Sequence, residues 1–470
     1  MGDVADPPLS LSPEGDTPVT LRVAIIGGGP AGLGAAIALS ALPLPLPRAG
    51  GDGKVNLNVQ VRLYERAAEL REIGAGIRIG YNCWRVLEGL GLDAAKEVRG
   101  HHKRGIVHRN GLTGEVVGRT GPVGLPLKYQ PRRVRRTRLQ AALKAKVPEG
   151  VIQLKKKLEL MEDLGGEGVR LTFEDGDVFV ADLVVGADGI RSVVRDHIFP
   201  DHKIKFTGTT IWRVLIPESA IKHIPELTES TSWWHGPAGH VYHSFVDDKE
   251  ELDEEERMFE IAARNVVDPE TAKGKRFSWG IPATNERVQS HFVDYDPRIR
   301  ELLRKVPEGQ WKEFSAFAGP RLEKLTGWNK VVLLGDASHP LSGAFGSGAA
   351  FALEDGWILA RAIEYAAATS QSLGKALDIF DHTRSPYYLR MYQHLDEQRQ
   401  QVAQAKKADP NASFEKSLKA RMEAFGGEEA LPWIYRNDIE RVWEGFLQQQ
   451  NKFIDLIDRT VARSPEGNRP

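Results

Sequence analysis

The stretch that decides the fold is Leu21-Arg-Val-Ala-Ile-Ile-Gly-Gly-Gly-Pro-Ala-Gly-Leu-Gly34. Its first six residues are mostly apolar and β-branched, which predicts a strand buried on both faces, and Ala31 to Leu42 predicts the helix that follows. Between them lies Gly27-x-Gly29-x-x-Gly32, in which missing side chains allow a tight turn, close approach of a pyrophosphate and packing of helix on strand. The helix N-terminus adds unpaired N–H groups and a positive dipole end. We therefore predict a dinucleotide-binding βα unit.

A second strand is predicted for Val59 to Tyr64, and it ends at Glu65. An acidic residue at this strand end is expected to bind the hydroxyl pair of a ribose, usually about 20 residues after the glycines. The spacing is longer here because a Pro/Gly-rich insertion, 42–54, separates the first helix from the second strand. The alternative is an ordinary exposed glutamate at the end of a strand.

Two further glycine motifs follow predicted buried strands. A strand at Val178 to Val185 precedes Gly186-Ala-Asp188-Gly189, and a strand at Lys330 to Leu334 precedes Gly335-Asp336-Ala-Ser-His339, with Gly346-Ser347-Gly348 shortly after. A strand that ends in a glycine-rich turn thus occurs three times. Ligands of open α/β sheets bind at such strand ends.

Together the three motifs resemble those of the group A FAD-dependent aromatic hydroxylases, the family of p-hydroxybenzoate and salicylate hydroxylases. The resemblance covers residues 20–400, and the segment Ala344 to Ala349 is most similar to salicylate-hydroxylase-like members from fungi. It implies an α/β fold: a Rossmann-like FAD-binding domain, an inserted antiparallel-sheet substrate domain and a helical C-terminal region.

The resemblance also implies a set of cofactor-binding residues. Gly27, Gly29 and Gly32 would line the FAD pyrophosphate, Glu65 would bind the adenosine ribose, Arg136 would contact the flavin cofactor, Asp188 would help hold FAD and the region approached by NAD(P)H, Asp336 would bond the ribityl chain, and the backbone of Gly346, Ser347 and Gly348 would lie against the flavin pyrimidine. N–H groups at that helix N-terminus would stabilise negative charge on the reduced flavin.

Two positions depart from the family pattern. Gly343 stands where members usually carry Pro, and Ser347 stands where they carry Gln, so we expect an unusually shaped substrate cavity. No second strand-GxGxxG-helix unit is visible for NAD(P)H, which fits a family that binds the nicotinamide transiently. The activity implied is hydroxylation of an aromatic substrate with NAD(P)H and O2 through a flavin C4a-hydroperoxide, with decarboxylation if the substrate is salicylate-like. No metal is required.

Candidate catalytic residues are those that could touch the substrate or move its proton. A phenol has an unperturbed pKa near 10 and would stay mostly neutral at pH 7, so a histidine relay could assist its deprotonation. The candidates are His339, His240, Tyr242 and Arg213, together with His235 and His243. Strand alternation places His240 and Tyr242 on one face and His243 on the other. The alternatives are structural hydrogen bonds for the histidines and tyrosine and a salt bridge for Arg213.

The domain boundaries follow from these patterns. We predict a mobile tail at 1–18, an FAD-binding domain built from 19–99, 123–202 and 319–400, a substrate domain built from a hairpin at 100–122 and a sheet at 203–318, and a helical C-terminal extension at 401–470 with a break near 408–411. Most of the basic cluster at 132–138 and the acidic run at 247–257 are predicted to be solvated.

Composition excludes several classes of protein. The chain has 470 residues, and 63 Lys and Arg balance 64 Asp and Glu, which leaves no electrostatic footprint for nucleic acid or an anionic membrane. A single cysteine, Cys83, predicts no internal disulfide and a reducing, cytoplasmic location. The charge-free stretch 23–47 is interrupted by glycines and prolines and no export signal is visible, so we expect no membrane span. The expected partners are a small aromatic substrate and O2, and an oligomer is compatible with the sequence.

Three other functions share this scaffold. A flavin-dependent halogenase would need Trp at the position of Val214 for its WxWxIP signature. A non-catalytic binding protein of the Rab-escort type would have lost flavin contacts such as Asp188 and Asp336. An FAD-dependent oxidase or dehydrogenase would use the same cofactor residues and stays open at this point.

Overall fold

The apolar run at residues 19–26 forms the centre of a parallel sheet, as its β-branched composition predicts. The computed structural model describes residues 9–11, 18–43, 45–47, 54–70, 75–102, 105–121, 124–272, 277–341, 343–425 and 427–462. The strands in these ranges are β1 (Val19–Ile26), β2 (Leu46–Pro47), β3 (Lys54–Val55), β4 (Leu57–Glu65), β5 (Gly76–Ile79), β6 (His101–His102), β7 (Ile106–Asn110), β8 (Val116–Thr120), β9 (Arg132–Arg135), β10 (Ile152–Leu154), β11 (Leu158–Asp163), β12 (Val169–Phe173), β13 (Val178–Ala181), β14 (Leu183–Gly186), β15 (Lys205–Pro217), β16 (Ser232–His235), β17 (Gly239–Phe245), β18 (Met258–Val266), β19 (Trp279–Ala283), β20 (Trp311–Ala318), β21 (Thr326–Gly327) and β22 (Val331–Leu333).

The helices are longest in the second half of the chain. The α-helices in the same ranges are α1 (Pro30–Ser40), α2 (Tyr81–Gly89), α3 (Ala94–Glu97), α4 (Arg136–Lys146), α5 (Val193–Ile198), α6 (Pro225–Thr228), α7 (Asn285–Gln289), α8 (Pro297–Arg304), α9 (Gly348–Ala368), α10 (Leu373–Ala408), α11 (Phe414–Phe425), α12 (Gly427–Ala430), α13 (Pro432–Tyr435) and α14 (Ile439–Ala462). Pro30 stands in the first turn of α1, where the N–H that proline lacks has no helical partner in any case.

The first sheet has six strands in the order β10, β4, β1, β14, β22, β21. β1 pairs in parallel with β4 and with β14, and β14 pairs in parallel with β22. Helix α1 packs against α9 beside this sheet, and Leu33 and Ile358 are fully buried in the core between them. The predicted α/β fold with a Rossmann-like sheet is confirmed.

The strand predicted for Val178 to Val185 is two strands in different sheets. β13 belongs to a three-stranded sheet with β11 and β12, whereas β14 belongs to the parallel sheet. The chain turns at Asp182, whose carboxylate accepts hydrogen bonds from the Arg22 backbone N–H (2.7 Å) and from its guanidinium Nε (3.0 Å). The prediction of one continuous strand is wrong because this side chain ties the turn to β1.

A second large sheet has eight strands in the order β19, β20, β15, β18, β17, β16, β7, β8. Its pairs are antiparallel except for β16 with β7, and its strands come from residues 106–120 and 205–318. One face is apolar and packs on α8, where Ile299 and Leu302 are fully buried. The expected, mainly antiparallel inserted sheet is present.

The ends of the chain pack on both halves of the molecule. Leu11 and the last helix, α14, pack on the parallel-sheet half, whereas Glu415 of α11 accepts a hydrogen bond from Asn110 of β7 at 3.1 Å. α10 ends at Ala408 and α11 begins at Phe414, as the predicted break requires. Ser10 bridges to Ser372 and Leu11 is fully buried, so this part of the predicted tail is held by an apolar side chain in the core. Residues 1–8 and 12–17 of that tail lie outside the described residues. Among the helices that are described, none is both long and apolar enough to cross a bilayer.

Candidate active site

Four neighbouring parallel strands end at the predicted motifs. Gly27 follows β1, Glu65 ends β4, Asp188 follows β14 and Asp336 follows β22. Because the carboxyl ends of parallel strands lie at the same edge of the sheet, these residues come together although they are far apart in the chain.

The three glycines of the first motif have different surroundings. A Cβ on Gly27, whose φ is +109°, would lie 2.4 Å from the carbonyl oxygen of Ala187, and a Cβ on Gly32 would lie 1.9 Å from that of Gly27. Gly27 and Gly32 therefore permit the turn and the packing of α1 on β1. At Gly29 no atom lies within 4 Å of the Cβ position. This glycine leaves open space at the N-terminus of α1.

Glu65 lies directly beside the same turn. Its Oε2 accepts a hydrogen bond from the Gly28 backbone N–H at 2.8 Å, and its Oε1 accepts one from the Ala67 N–H at 2.8 Å. Two backbone donors fix the carboxylate at the strand end, and each oxygen keeps a second lone pair for a ligand hydroxyl.

One carboxylate oxygen of Asp188 accepts hydrogen bonds from the backbone, and the other accepts none from the described residues. Its Oδ2 accepts the Val193 N–H at 2.7 Å at the N-terminus of α5, whereas its Oδ1 is buried without a hydrogen-bond partner among the described residues. Burial raises the pKa of this carboxyl, although hydrogen bonds from Ser192 and the backbone of α5 oppose the rise.

Asp336 lies just after β22 in a concave part of the surface, which we call the cleft. Its side chain is accessible to solvent, yet the surrounding protein raises the pKa of its carboxyl by desolvation, and the nearby Arg136 guanidinium lowers that pKa. The carboxylate makes no hydrogen bond to any described residue. Arg136 begins α4, and its backbone N–H donates to Ala75 at 3.0 Å. The two predicted cofactor residues are thus neighbours.

The loop before α9 is equally open. No atom lies within 4 Å of the Cβ position of Gly343 or Gly348, and at Gly346 only the Arg78 Cδ comes as close as 3.9 Å. Ser347 is buried, and its Oγ accepts a hydrogen bond from Arg78 Nη1 at 3.1 Å. Arg78 is not among the site residues predicted from the sequence.

One face of the eight-stranded sheet faces this cleft. Arg213, Ala262, Tyr242 and Trp233 are direct partners across β15, β18, β17 and β16, so their side chains share a face. Glu260 lies on the same face, and its Oε1 accepts the Gly76 N–H of β5 at 2.9 Å. This contact turns the face toward the parallel-sheet half of the molecule.

Arg213 carries a charge that no described residue pairs. Its guanidinium makes no hydrogen bond or ion pair there, so the alternative of a strand salt bridge is wrong. Desolvation lowers its pKa to about 10; the Glu260 carboxylate raises that pKa, and the charges of Arg133 and Arg136 lower it. Burial likewise raises the pKa of Tyr242, whose hydroxyl therefore stays protonated at neutral pH.

The three histidine candidates of the eight-stranded sheet lie in different environments. His240 shares the face of Tyr242 and packs edge-on against Trp233 at 4.5 Å, and burial holds its pKa well below the usual range. His235 pairs with His108, Nε2 to Nδ1, at 3.0 Å. His243 lies in the core on the opposite face, fully buried, and its Nε2 accepts the Trp234 indole N–H at 3.0 Å. His243 is thus structural.

His339 lies behind the cleft in a buried polar cluster. Its ring stacks on Tyr388 with centroids 3.5 Å apart, and its Nδ1 is 2.5 Å from Ser338 Oγ. Asp355 accepts the Gly335 N–H at 2.9 Å and the Arg384 Nε–H at 2.8 Å in the same cluster. Only 3% of His339 is exposed, so the structure sets this candidate apart from the sheet face.

The basic cluster at 132–138 forms ion pairs with buried acidic residues and is not simply solvated. Arg133 pairs with the fully buried Glu260, and Arg135 and Arg138 both pair with the fully buried Asp247 at 2.5 and 2.9 Å. The predicted solvated surface is wrong for these residues because the eight-stranded sheet folds back onto β9. The pairs join the two halves of the molecule across the cleft.

Comparisons with known proteins identify the family to which this chain is similar. Residues 20–230 match the family model described as FAD binding domain. The chain is 32% identical to 2-heptyl-3-hydroxy-4(1H)-quinolone synthase of Pseudomonas aeruginosa over 64% of its length and 73% of the relative's. It is 28% identical to 6-hydroxynicotinate 3-monooxygenase of Bordetella bronchiseptica, over 73% and 82% of the two chains. A solved salicylate hydroxylase substrate complex superposes with a TM-score of 0.68 at 23% identity, covering 90% and 97%.

The fold and the site define an FAD-dependent oxidoreductase. The chain belongs to the family of FAD-dependent aromatic monooxygenases, the group A hydroxylases, and NAD(P)H is the co-substrate of related hydroxylases. This membership favours hydroxylation over the halogenase, oxidase and non-catalytic alternatives. The residues present also fit FAD, because Gly29, Gly343 and Gly348 leave space and Asp336 offers an unused carboxylate.

Proposed function

We propose that the cleft between the parallel sheet and the eight-stranded sheet holds FAD and an aromatic substrate. Gly29 and the N-terminus of α1 would face the pyrophosphate, Glu65 the ribose and Asp336 the ribityl hydroxyls. Arg136 and Asp188 would flank the cofactor, and 346–348 would support its pyrimidine end. When bound, FAD supplies hydride acceptance from NAD(P)H and activation of O2.

We infer that the substrate is an aromatic ring that carries both a hydroxyl and an anionic group. The observation that carries this proposal is the Arg213 guanidinium, which faces the cleft without an ion-pair partner among the described residues. A desolvated cation without a partner costs free energy, and a carboxylate ligand removes that cost. The named substrates of two similar proteins, 6-hydroxynicotinate and salicylate, both combine a ring, a hydroxyl and a carboxylate.

Tyr242 and His240 would act on the ring hydroxyl. Tyr242 keeps its proton because burial raises its pKa, so its hydroxyl can donate a hydrogen bond to a phenolate oxygen. His240 is neutral because burial lowers its pKa, and one of its ring nitrogens can accept a proton or a hydrogen bond. Trp233 lies against both side chains, 4.8 Å from the ring of Tyr242 and 4.5 Å from that of His240, and would exclude water.

His339 has a different part in this proposal. It packs between the Asp336 turn and Tyr388, so it would hold that turn in place rather than touch the substrate. A cytoplasmic location is proposed from the single cysteine alone.

A substrate panel with Arg213 variants tests the proposal. Wild type should show substrate-stimulated NAD(P)H oxidation and a hydroxylated product by mass with aromatic acids, and far less with the corresponding amides, after peroxide formation is subtracted. In Arg213→Met the KM for the acid should rise about 10- to 100-fold, the value of a charge-assisted hydrogen bond, while the amide is unaffected. Arg119→Met, which removes an exposed charge from the edge strand β8, is the matched control.

Two outcomes decide the finer points. Equal kcat/KM for acid and amide in wild type would contradict the anionic substrate while leaving FAD binding intact. With salicylate, attack at the carboxyl-bearing carbon gives catechol and CO2, whereas attack at a ring C–H gives a dihydroxybenzoate. Release of CO2 in proportion to product would support the decarboxylating reaction, and its absence would contradict it.

A further inference from the structure

Arg78 of β5 connects the loop before α9 with the C-terminal segment. Its Nη1 donates to Ser347 Oγ at 3.1 Å and its Nη2 donates to Glu428 Oε2 at 2.7 Å. The guanidinium carbon lies 5.0 Å from the ring centroid of Tyr435, and the side chain is only 9% exposed. Its Nε–H is buried without a hydrogen-bond partner among the described residues. We call Arg78, Glu428 and Tyr435 the Arg78 clamp.

The C-terminal segment holds the same loop at a second point. The Tyr435 hydroxyl donates to the Phe345 carbonyl oxygen at 3.1 Å. Gly343 and Gly346 have φ values of +73° and +62°, so the loop contains two residues with wide conformational freedom. Contacts from outside the loop must therefore select its conformation. The clamp supplies one contact to the Ser347 side chain and one to the Phe345 backbone.

We propose that Arg78 is a positioning residue for FAD, and that the clamp makes the C-terminal segment a working part of the cofactor site. Arg78 acts through Ser347, which stands immediately before α9, and so fixes the N–H groups at that helix N-terminus. It also places a positive charge beside the loop, and the balancing Glu428 carboxylate contacts a different guanidinium nitrogen from the one that contacts Ser347. This inference rests on the proposed function, in which residues 346–348 support the pyrimidine end of FAD.

Substitutions in the clamp can be compared with a closely matched surface pair. Glu429 neighbours Glu428 on α12, and it pairs with Arg436 at 3.1 Å where both side chains are exposed. The variants are Arg78→Met, Arg78→Lys, Glu428→Gln and, as the control, Glu429→Gln. For each we would measure the Kd of the apoprotein for FAD by flavin fluorescence, the midpoint potential of bound FAD, and thermal unfolding of the apoprotein.

Arg78→Met should weaken FAD binding about tenfold and lower the midpoint potential, because the reduced cofactor carries negative charge and loses a nearby cation. Arg78→Lys should recover the potential in large part, since it restores the charge without the two-pronged contact. Glu428→Gln should weaken binding by a smaller factor without lowering the potential, because the guanidinium stays. Glu429→Gln should match wild type in all three measurements.

The contrary results are equally specific. A lower unfolding temperature in Arg78→Met, with Kd within twofold of wild type and an unchanged potential, would show that Arg78 only anchors the C-terminal segment and would overturn the inference. Should Arg78→Met fail to fold, a Glu428→Gln variant that is indistinguishable from Glu429→Gln would overturn it. Failure of the wild-type apoprotein to bind FAD would overturn the proposed function, and this inference with it.

Discussion

Replacing Gly29 with alanine should separate cofactor binding from folding. Gly29 has φ of −76° and ψ of −177°, a conformation that alanine adopts without strain, and nothing lies within 4 Å of its Cβ position. The free energy of unfolding of the apoprotein should therefore stay unchanged or rise by about 0.4 to 1 kcal/mol, because alanine reduces the entropy of the unfolded chain. The new methyl group would instead occupy the space through which the pyrophosphate approaches.

The expected loss in FAD affinity follows from the same geometry. Forcing one extra carbon into a fitted site costs about 1 to 3 kcal/mol, which corresponds to roughly a 5- to 150-fold rise in the Kd for FAD. Gly32→Ala is the contrast, because its Cβ would lie 1.9 Å from the Gly27 oxygen and about 1 Å of backbone movement would be needed. That variant should lose about 1 to 3 kcal/mol of apoprotein stability as well.

Flavin fluorescence titration of the apoprotein and denaturant unfolding measure the two quantities independently. A Gly29→Ala protein that binds FAD as tightly as wild type would refute the placement of the pyrophosphate. Equal destabilisation of the apoprotein by Gly29→Ala and Gly32→Ala would refute the distinction between an open and a packed glycine.

Three other changes have definite expected outcomes. Asp336→Asn should raise the Kd for FAD about 10- to 100-fold without destabilising the apoprotein, because the carboxylate has no described hydrogen-bond partner to lose; unchanged FAD retention on dilution would contradict this. Burial lowers the pKa of His243 to about 3 and of His339 to about 4, whereas the unfolded chain takes up these protons near pH 6.5. The unfolded state therefore binds more protons than the folded state between about pH 6.5 and 4. As the pH is lowered through this window, the free energy of unfolding should decrease by up to about 1.4 kcal/mol per pH unit for each histidine. The free energy of unfolding, measured in urea at pH 7.5 and 5.5, should differ less between the two pH values in His243→Gln than in wild type. An equal difference in the two proteins would count against this assignment. Arg384→Met leaves Asp355 as a buried carboxylate without its guanidinium and should destabilise the protein by about 3 to 5 kcal/mol, which a loss below about 1 kcal/mol in the same assay would contradict.

The strand ends of the parallel sheet were predictable because their signals are local. An apolar β-branched run followed by glycine marks each end, and parallel pairing then brings Gly27, Asp188 and Asp336 to one edge. Alternation in β17 likewise separated His240 from His243. Which face of β17 packs against the core was not predictable. That depends on the positions of Trp234 and helix α8, which no local sequence pattern encodes.

Contacts between distant parts of the chain were the main failures. Arg133 and Glu260 lie 127 positions apart, and local charge patterning describes each only as part of a polar segment. Arg78 had no local signal, because a charged residue between Ile77 and Ile79 is the ordinary alternation of an antiparallel strand with one polar face. Its partners Ser347 and Glu428 come from elements that only the tertiary fold brings together.

The hairpin of β7 and β8 limits how substrate preference can be exchanged between relatives. These strands come from residues 106–120, whereas the remaining strands of the eight-stranded sheet come from residues 205–318. One continuous sheet is therefore encoded by two separate segments of the sequence. A chimera that transplants only the longer segment would pair β16 with a foreign β7 along their shared register, from Ser232 opposite Val107 to His235 opposite Asn110. Recombination between homologues should therefore give folded, active progeny chiefly when both segments are inherited from the same parent.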